Sequence, residues 1–159
     1  MTEKDYKQHI NNYSDDVLRY LAKNLHDIND AKDILQDTFT ALWLDRGKIE
    51  NSKVKNWLFT TAHNRMLKLI RYNKVRQGTP SVNVLGNFDN TSTAANYDAT
   101  QQLDMLLSQL SEVMKQCLML KEWSGFSIKE TAQILQISEQ SVKVNIFRAK
   151  IKLKTLKYN

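Results

Sequence analysis

Apolar residues recur at every third or fourth position along most of this chain, and no stretch alternates apolar with polar as a strand would. Ile10, Tyr13, Val17, Leu21 and Leu25 set the first such stripe and predict a helix from Tyr6 to Leu25. A second helix follows, with Asn29 or Asp30 as its expected cap, because a short side-chain oxygen satisfies free backbone N–H groups there. Its apolar stripe is Ala31, Leu35, Thr38, Phe39 and Leu42; Asp33, Gln36, Asp37 and Thr40 fall on another face. Gly47 breaks that pattern, and Arg46 to Val54 reads as a polar loop. A third helix is predicted from about Lys55 to Lys74, its stripe drawn from Trp57 or Leu58, Ala62, Arg65 or Met66, Leu69, and Tyr72 or Asn73.

Gly78 and Pro80 then stop the periodicity. Residues 77–100 are rich in Asn, Ser, Thr, Gly and Asp, and the stretch is too long for a loop inside one compact domain. It is expected to be a linker, mostly without fixed structure. Helical spacing returns with Leu103, Leu106, Leu107 and Leu110. A further helix is predicted from about Ser111 to Trp123, ended by Gly125. Ser127 and Glu130 have the spacing of a capping box and start a short helix, Ile128 to Leu135. After a turn at Gln136-Ile137, Ser138 caps a last helix from Glu139 to about Leu156. The expected fold is all-α: two small helical domains, 1–76 and 101–159, joined by the linker 77–100.

Charge changes the picture more than composition does. The chain has 159 residues and a formal net charge of +6, but the charge is unevenly spread. Residues 1–45 carry five basic and nine acidic side chains; residues 48–76 carry eight basic ones against Glu50 alone. Residues 77–104 have no Lys or Arg, and residues 139–159 have six basic side chains against Glu139. Two basic blocks separated by a basic-free stretch imply two contacts with a polyanion, beside an acidic surface suited to a protein. Cys117 is the single cysteine, which excludes an internal disulfide, and its apolar neighbours predict a buried thiol. The polar N-terminus is no secretory signal, no apolar run is long enough for a membrane span, and a cytoplasmic protein is expected.

Two helices joined by a three-residue turn, the second of them basic, form a helix-turn-helix pattern. Ala132 is small where the helices must cross, and Leu135, Ile137, Val142 and Ile146 supply the apolar wedge. Val142, Ile146, Ala149 and Leu153 make a core stripe. The opposite face offers Gln140, Ser141, Lys143, Val144, Phe147 and Arg148 to a major groove. Lys150, Lys152, Lys154 and Lys157 are placed to meet phosphates. Gln136 stands where such turns favour Gly, because the residue adopts a left-handed conformation.

Both basic blocks together resemble the small, extracytoplasmic-function group of bacterial RNA polymerase sigma factors. The likeness is carried by DAKDILQDTFTALW, NWLFTTAHNRMLKLIR and GFSIKETAQILQISEQSVKVNIFRAKIKLK, in that order and spacing. It implies that the acidic helix docks on the coiled coil of the polymerase clamp through Asp33, Gln36 and Asp37, with Phe39 and Trp43 as apolar contacts. It implies that Lys55, Asn56, Trp57, His63, Asn64, Lys68 and Arg71 bind and open the minus-ten promoter element. The loop Arg46 to Val54 would hold a base flipped from the duplex. Lys143, Val144, Phe147 and Arg148 would read the minus-thirty-five element, and the linker would run near the RNA exit path. An anti-sigma factor is a further implied partner. Family recognition helices commonly carry Ser and Arg where this chain has Val144 and Asn145, so no base preference carries over there. The family often has Pro where this chain has Ser111.

Opening a promoter needs no covalent chemistry from such a chain. Extruding a base costs a few kcal/mol, and stacking on aromatics recovers about 1–3 kcal/mol per base. No enzyme activity, catalytic residue, metal or cofactor is therefore expected. Two other readings of the residues remain at this level. A free-standing helix-turn-helix regulator would need a dimerisation surface, and no heptad seam is evident. A Mg²⁺-dependent nucleic-acid enzyme would use Asp30, Asp33 and Asp37, but no catalytic His or further carboxylate cluster accompanies them.

Overall fold

The computed structural model of the chain describes residues 1–77 and 94–157. The chain divides into two compact units, Met1–Gly86 and Asn87–Asn159. The described residues contain helices and no strand, as the all-α expectation has it.

Three helices build the first unit: α1 (Glu3–Leu25), α2 (Ile28–Leu44) and α3 (Val54–Gln77). Each packs on the other two. Helix α1 starts earlier than its apolar stripe does, because Thr2 and Asp5 form a reciprocal capping box: the Asp5 N–H donates to Thr2 Oγ1 and the Thr2 N–H to Asp5 Oδ2. The cap of α2 is Asp27, not Asn29 or Asp30. Its carboxylate accepts from both of those residues' N–H groups, at 2.9 and 3.2 Å. Helix α2 ends at Leu44, where the Arg46 guanidinium donates to the Trp43 carbonyl at 2.7 Å.

The core of this unit is Val17, Tyr20 and Leu21 from α1, Ala31, Ile34, Phe39 and Leu42 from α2, and Val54, Leu58, Phe59, Ala62 and Met66 from α3. Ile34 takes the place expected of Leu35, its apolar neighbour, which is half-buried. Each of the larger side chains contributes about 1.5–3 kcal/mol by leaving water. The exposed Lys7–Glu3 ion pair at 3.2 Å is worth a few tenths of that at most. Apolar burial, not surface charge, therefore holds the three helices together.

The second unit contains α4 (Ala94–Ser108), α5 (Glu112–Leu118), α6 (Ile128–Leu135) and α7 (Glu139–Lys157). The α4 backbone begins at Ala94, so helix takes in the last seven residues of the expected linker, residues 94–100. Residues 78–93, the rest of it but for Gln77, lie outside the described residues. Ser111 caps α5 by accepting from the Met114 N–H, which fixes the start of the helix at Glu112. Helix α5 continues into a π-helical turn, Met119–Trp123, whose wider winding is seen in the Ser124 N–H to Met119 carbonyl bond. Gly125 follows at φ 77°, a conformation few other residues adopt without strain.

Helix α7 packs on α5 and α6. Ala149 joins Leu107, Leu110 and Leu118 in one apolar cluster, while Val142 and Ile146 join Cys117 and Ala132 in another. Cys117 is buried as expected, and burial pushes its thiol up to about 11. No described helix is long and apolar enough to cross a membrane.

Candidate nucleic-acid interface

The exposed face of α2 carries Asp33, Gln36, Asp37 and Thr40. Asp33 and Asp37 stand one turn apart, and like charges at that spacing cost a few tenths of a kcal/mol. A cationic partner would remove that cost. Asp30, at the head of the same face, has its carboxyl held above the usual carboxylate range, first by burial and then by the charges of Asp27 and Asp33.

Of the two apolar residues proposed for this surface, Phe39 lies elsewhere. Phe39 is buried, edge-on to Tyr6 with ring centres 6.5 Å apart, and the Tyr6 hydroxyl donates to the Phe39 carbonyl at 2.8 Å. It is a core residue and offers no surface. Trp43 is half-buried between the Tyr6 ring at 4.9 Å and the Arg46 guanidinium at 3.8 Å. Leu44 is the residue that the pattern did not single out: it is 74% exposed at the end of the same helix.

On α3, Trp57, Asn64, Lys68 and Arg71 recur at seven, four and three residues and so share one strip of the helix. Trp57 and Asn64 are half-buried, and Lys68 and Arg71 are exposed. Lys55 and Asn56 lie half-buried in the first turn. His63 does not belong to this set. It is buried, its Nδ1 2.8 Å from Tyr20 Oη, and burial lowers its imidazole to about 4. A neutral histidine inside the core cannot meet a phosphate. The strip runs on instead into Val75, which is 86% exposed, beside Tyr72, also exposed, with the Arg76 guanidinium 6.0 Å from its ring. Periodicity alone left the core stripe open between Tyr72 and Asn73; the excess of Arg and Lys around Tyr72 was the signal for the surface.

The helix-turn-helix is formed by α6 and α7. Gln136 sits at φ 56° and ψ 45°, the left-handed conformation the sequence required. The Gln136 and Ile137 N–H groups both donate to the Ala132 carbonyl, which closes α6. Ser138 accepts from the Ser141 N–H and opens α7. Gln140, Lys143, Phe147 and Arg148 are exposed, and Ser141 and Val144 are half-buried. Phe147 shows 66% of its surface to solvent and Ile151, one turn on, 50%. Asn145 donates back to the Ser141 carbonyl at 2.8 Å and so is tied to its own helix. Lys150 is engaged within the protein: its Nζ lies 2.8 Å from the Glu122 carboxylate, and that bond holds the Glu122 carboxyl below its ordinary range.

The chain matches the family profiles of sigma-70 region 2 over residues 9–76 and sigma-70 region 4 over residues 100–153. It is 33% identical over 150 residues to the ECF RNA polymerase sigma factor SigM of Bacillus subtilis, covering 92% of this chain and 91% of that protein. It is 30% identical over 156 residues to the RNA polymerase sigma factor YlaC of the same organism, covering 89% and 86%. Its fold is similar to that of the sigma factor RpoE solved with the anti-sigma factor NepR from Bartonella quintana, with a TM-score of 0.83, 22% identity and 98% of both chains covered.

Proposed function

The chain belongs to the extracytoplasmic-function sigma factors, which makes it a transcription initiation factor that binds core RNA polymerase and directs promoter recognition and DNA opening; on that footing we propose how its surfaces divide the work. The exposed strip Asp33–Gln36–Asp37, with Leu44 at its end, docks on the polymerase clamp. The strip Trp57, Asn64, Lys68 and Arg71, extended by Tyr72 and Val75, takes the minus-ten element. Lys55 and Asn56 hold its upstream edge, and the loop Arg46 to Val54 receives an extruded base. Gln140, Ser141, Lys143, Val144, Phe147 and Arg148 read the minus-thirty-five element. The work is divided between domains 1–76 and 101–159, joined through 77–100, of which 94–100 are the first part of α4.

The observation that carries this reading is the contrast between two neighbouring helices of one unit. Helix α2 presents carboxylates at a spacing that repels itself, and α3 presents cations, an indole and a phenol at a spacing that suits a phosphate backbone and its bases. We assign no covalent step to the chain, since bond formation belongs to the polymerase. It works in the cytoplasm beside that enzyme. As with the sigma factor of Bartonella quintana solved with its anti-sigma factor, a protein inhibitor is expected to hold it inactive.

The test is reconstitution. Purified core polymerase with this chain should give new start sites on a promoter library, each with a shared minus-ten and minus-thirty-five pattern. Core enzyme that forms no complex with the chain and gains no start site would overturn the assignment.

A further inference from the structure

The loop between α2 and α3 is tied down from a distance. Asn51 opens a short 3-10 turn, Asn51–Lys53, that feeds directly into the buried Val54. Its side chain is held by two residues of the first turns of α1, more than forty positions away. His9 Nε2 lies 2.9 Å from Asn51 Oδ1, and Asn51 Nδ2 donates to Asp5 Oδ2 at 3.5 Å. With the amide nitrogen on the Asp5 carboxylate, the amide oxygen faces His9, and the pair is a hydrogen bond in which His9, protonated on Nε2, donates. The ring is packed on its own helix. It stacks on Tyr13 at 5.9 Å and 13°, and its Nδ1 is buried with no hydrogen-bond partner among the described residues.

We propose that His9 is a positioning residue for promoter opening: by donating to Asn51 it fixes the loop Arg46–Val54 before DNA arrives. The inference rests on the reading that this loop receives the extruded base. Between Arg46, which lies on Trp43, and the buried Val54, the loop exposes Gly47, Lys48 and Glu50 to Lys53, and that stretch has little apolar contact to order it. If it had to be ordered by the base itself, that entropy would be subtracted from the capture free energy. The Asp5–Asn51–His9 clasp moves the ordering into folding. The same Asp5 carboxylate closes the capping box of α1, so the clasp is anchored on a helix end that is itself fixed.

The test uses holoenzyme on a promoter selected by the unaltered chain, with open complex read from permanganate-reactive thymines. His9→Phe keeps the stacked ring and removes the donor. His9→Gln restores a donor at nearly the Nε2 position. His9→Phe and Asn51→Ala should each lower the open fraction about three- to ten-fold, the worth of one polar hydrogen bond, and the double variant should be no worse than either. His9→Gln should recover most of the loss, with affinity for core polymerase unchanged throughout. A fourth variant replaces Lys48, Ile49 and Glu50 with Gly, Ser and Gly. If it fails to open DNA while His9→Phe opens it normally, the clasp is wrong and the loop's role stands. If both open DNA normally, the loop does not receive the base and the positioning role goes with it. If His9→Gln is as poor as His9→Phe, the hydrogen bond is not the agent and the proposal is overturned.

Discussion

Tyr20 Oη lies 2.8 Å from His63 Nδ1 in the interior of the first unit, where α1 meets α3. The pair makes the fold sensitive to acid. Burial lowers His63 to about 4, against an ordinary value of 6.5, so the folded state holds the neutral ring. Its contribution is complete above pH 6.5 and drains away as pH falls toward 4, because the unfolded chain takes up the proton first. Between pH 7 and 4.5 the loss should reach about 2–3 kcal/mol. Urea unfolding of the intact chain and of His63→Phe at both pH values checks this. The variant should lose distinctly less stability across that window, and parallel losses would count against a neutral buried ring.

Asp37→Lys should separate docking from folding. Asp37 is exposed, so the thermal midpoint should hold or rise slightly as repulsion from Asp33 becomes attraction at the same spacing, a few tenths of a kcal/mol. Binding to core polymerase should weaken at least about tenfold, since a charge is reversed at the contact. Normal binding by this variant, measured by fluorescence anisotropy, would remove α2 from the polymerase surface.

Glu122→Gln should strengthen DNA binding. The Glu122 carboxylate occupies Lys150 at 2.8 Å, which neutralises a cation on the recognition helix. Freed, that lysine adds about one phosphate contact, and the slope of log affinity against log salt should steepen by about one unit. Lys150→Ala should change promoter affinity little in the unaltered background, whereas Lys143→Ala should weaken it. A salt titration of holoenzyme on the minus-thirty-five element decides between them.

Gln136→Gly should stabilise the second unit. Gln136 is exposed and held in the left-handed region, so Gly loses no packing and relieves about 1 kcal/mol of strain. A rise of a few degrees in the melting of the second unit is expected. A lower midpoint would mean that the extra freedom of Gly in the unfolded chain outweighs the strain.

The helices were legible because their stripes are local. Ile10 to Leu25, Leu103 to Leu110 and the Ser127–Glu130 capping box each lie within a few turns of chain, and even the strained conformation of Gln136 followed from its place in a known turn. Most of what was missed depends on a neighbour far away in sequence. Phe39 followed the apolar stripe its spacing gives and not the docking role, while His63 went into the core, where Tyr20 offers a partner. Lys150 pairs with Glu122 from another helical segment, and the hold of His9 on Asn51 spans more than forty residues. Histidine and tyrosine suit interior and surface alike, so no pattern of spacing could assign them. Ile34 and Leu35 are adjacent and both apolar, which left the phase of the α2 stripe one residue ambiguous.

Helix α7 rests on two separate apolar seats, Val142 and Ile146 on one and Ala149 on the other. A beam with two supports cannot pivot about either, so the reading helix is stiff against tilt. If α7 reads the groove as proposed, accommodation of promoters with different groove widths falls to the DNA, or to the long side chains of Lys143 and Arg148.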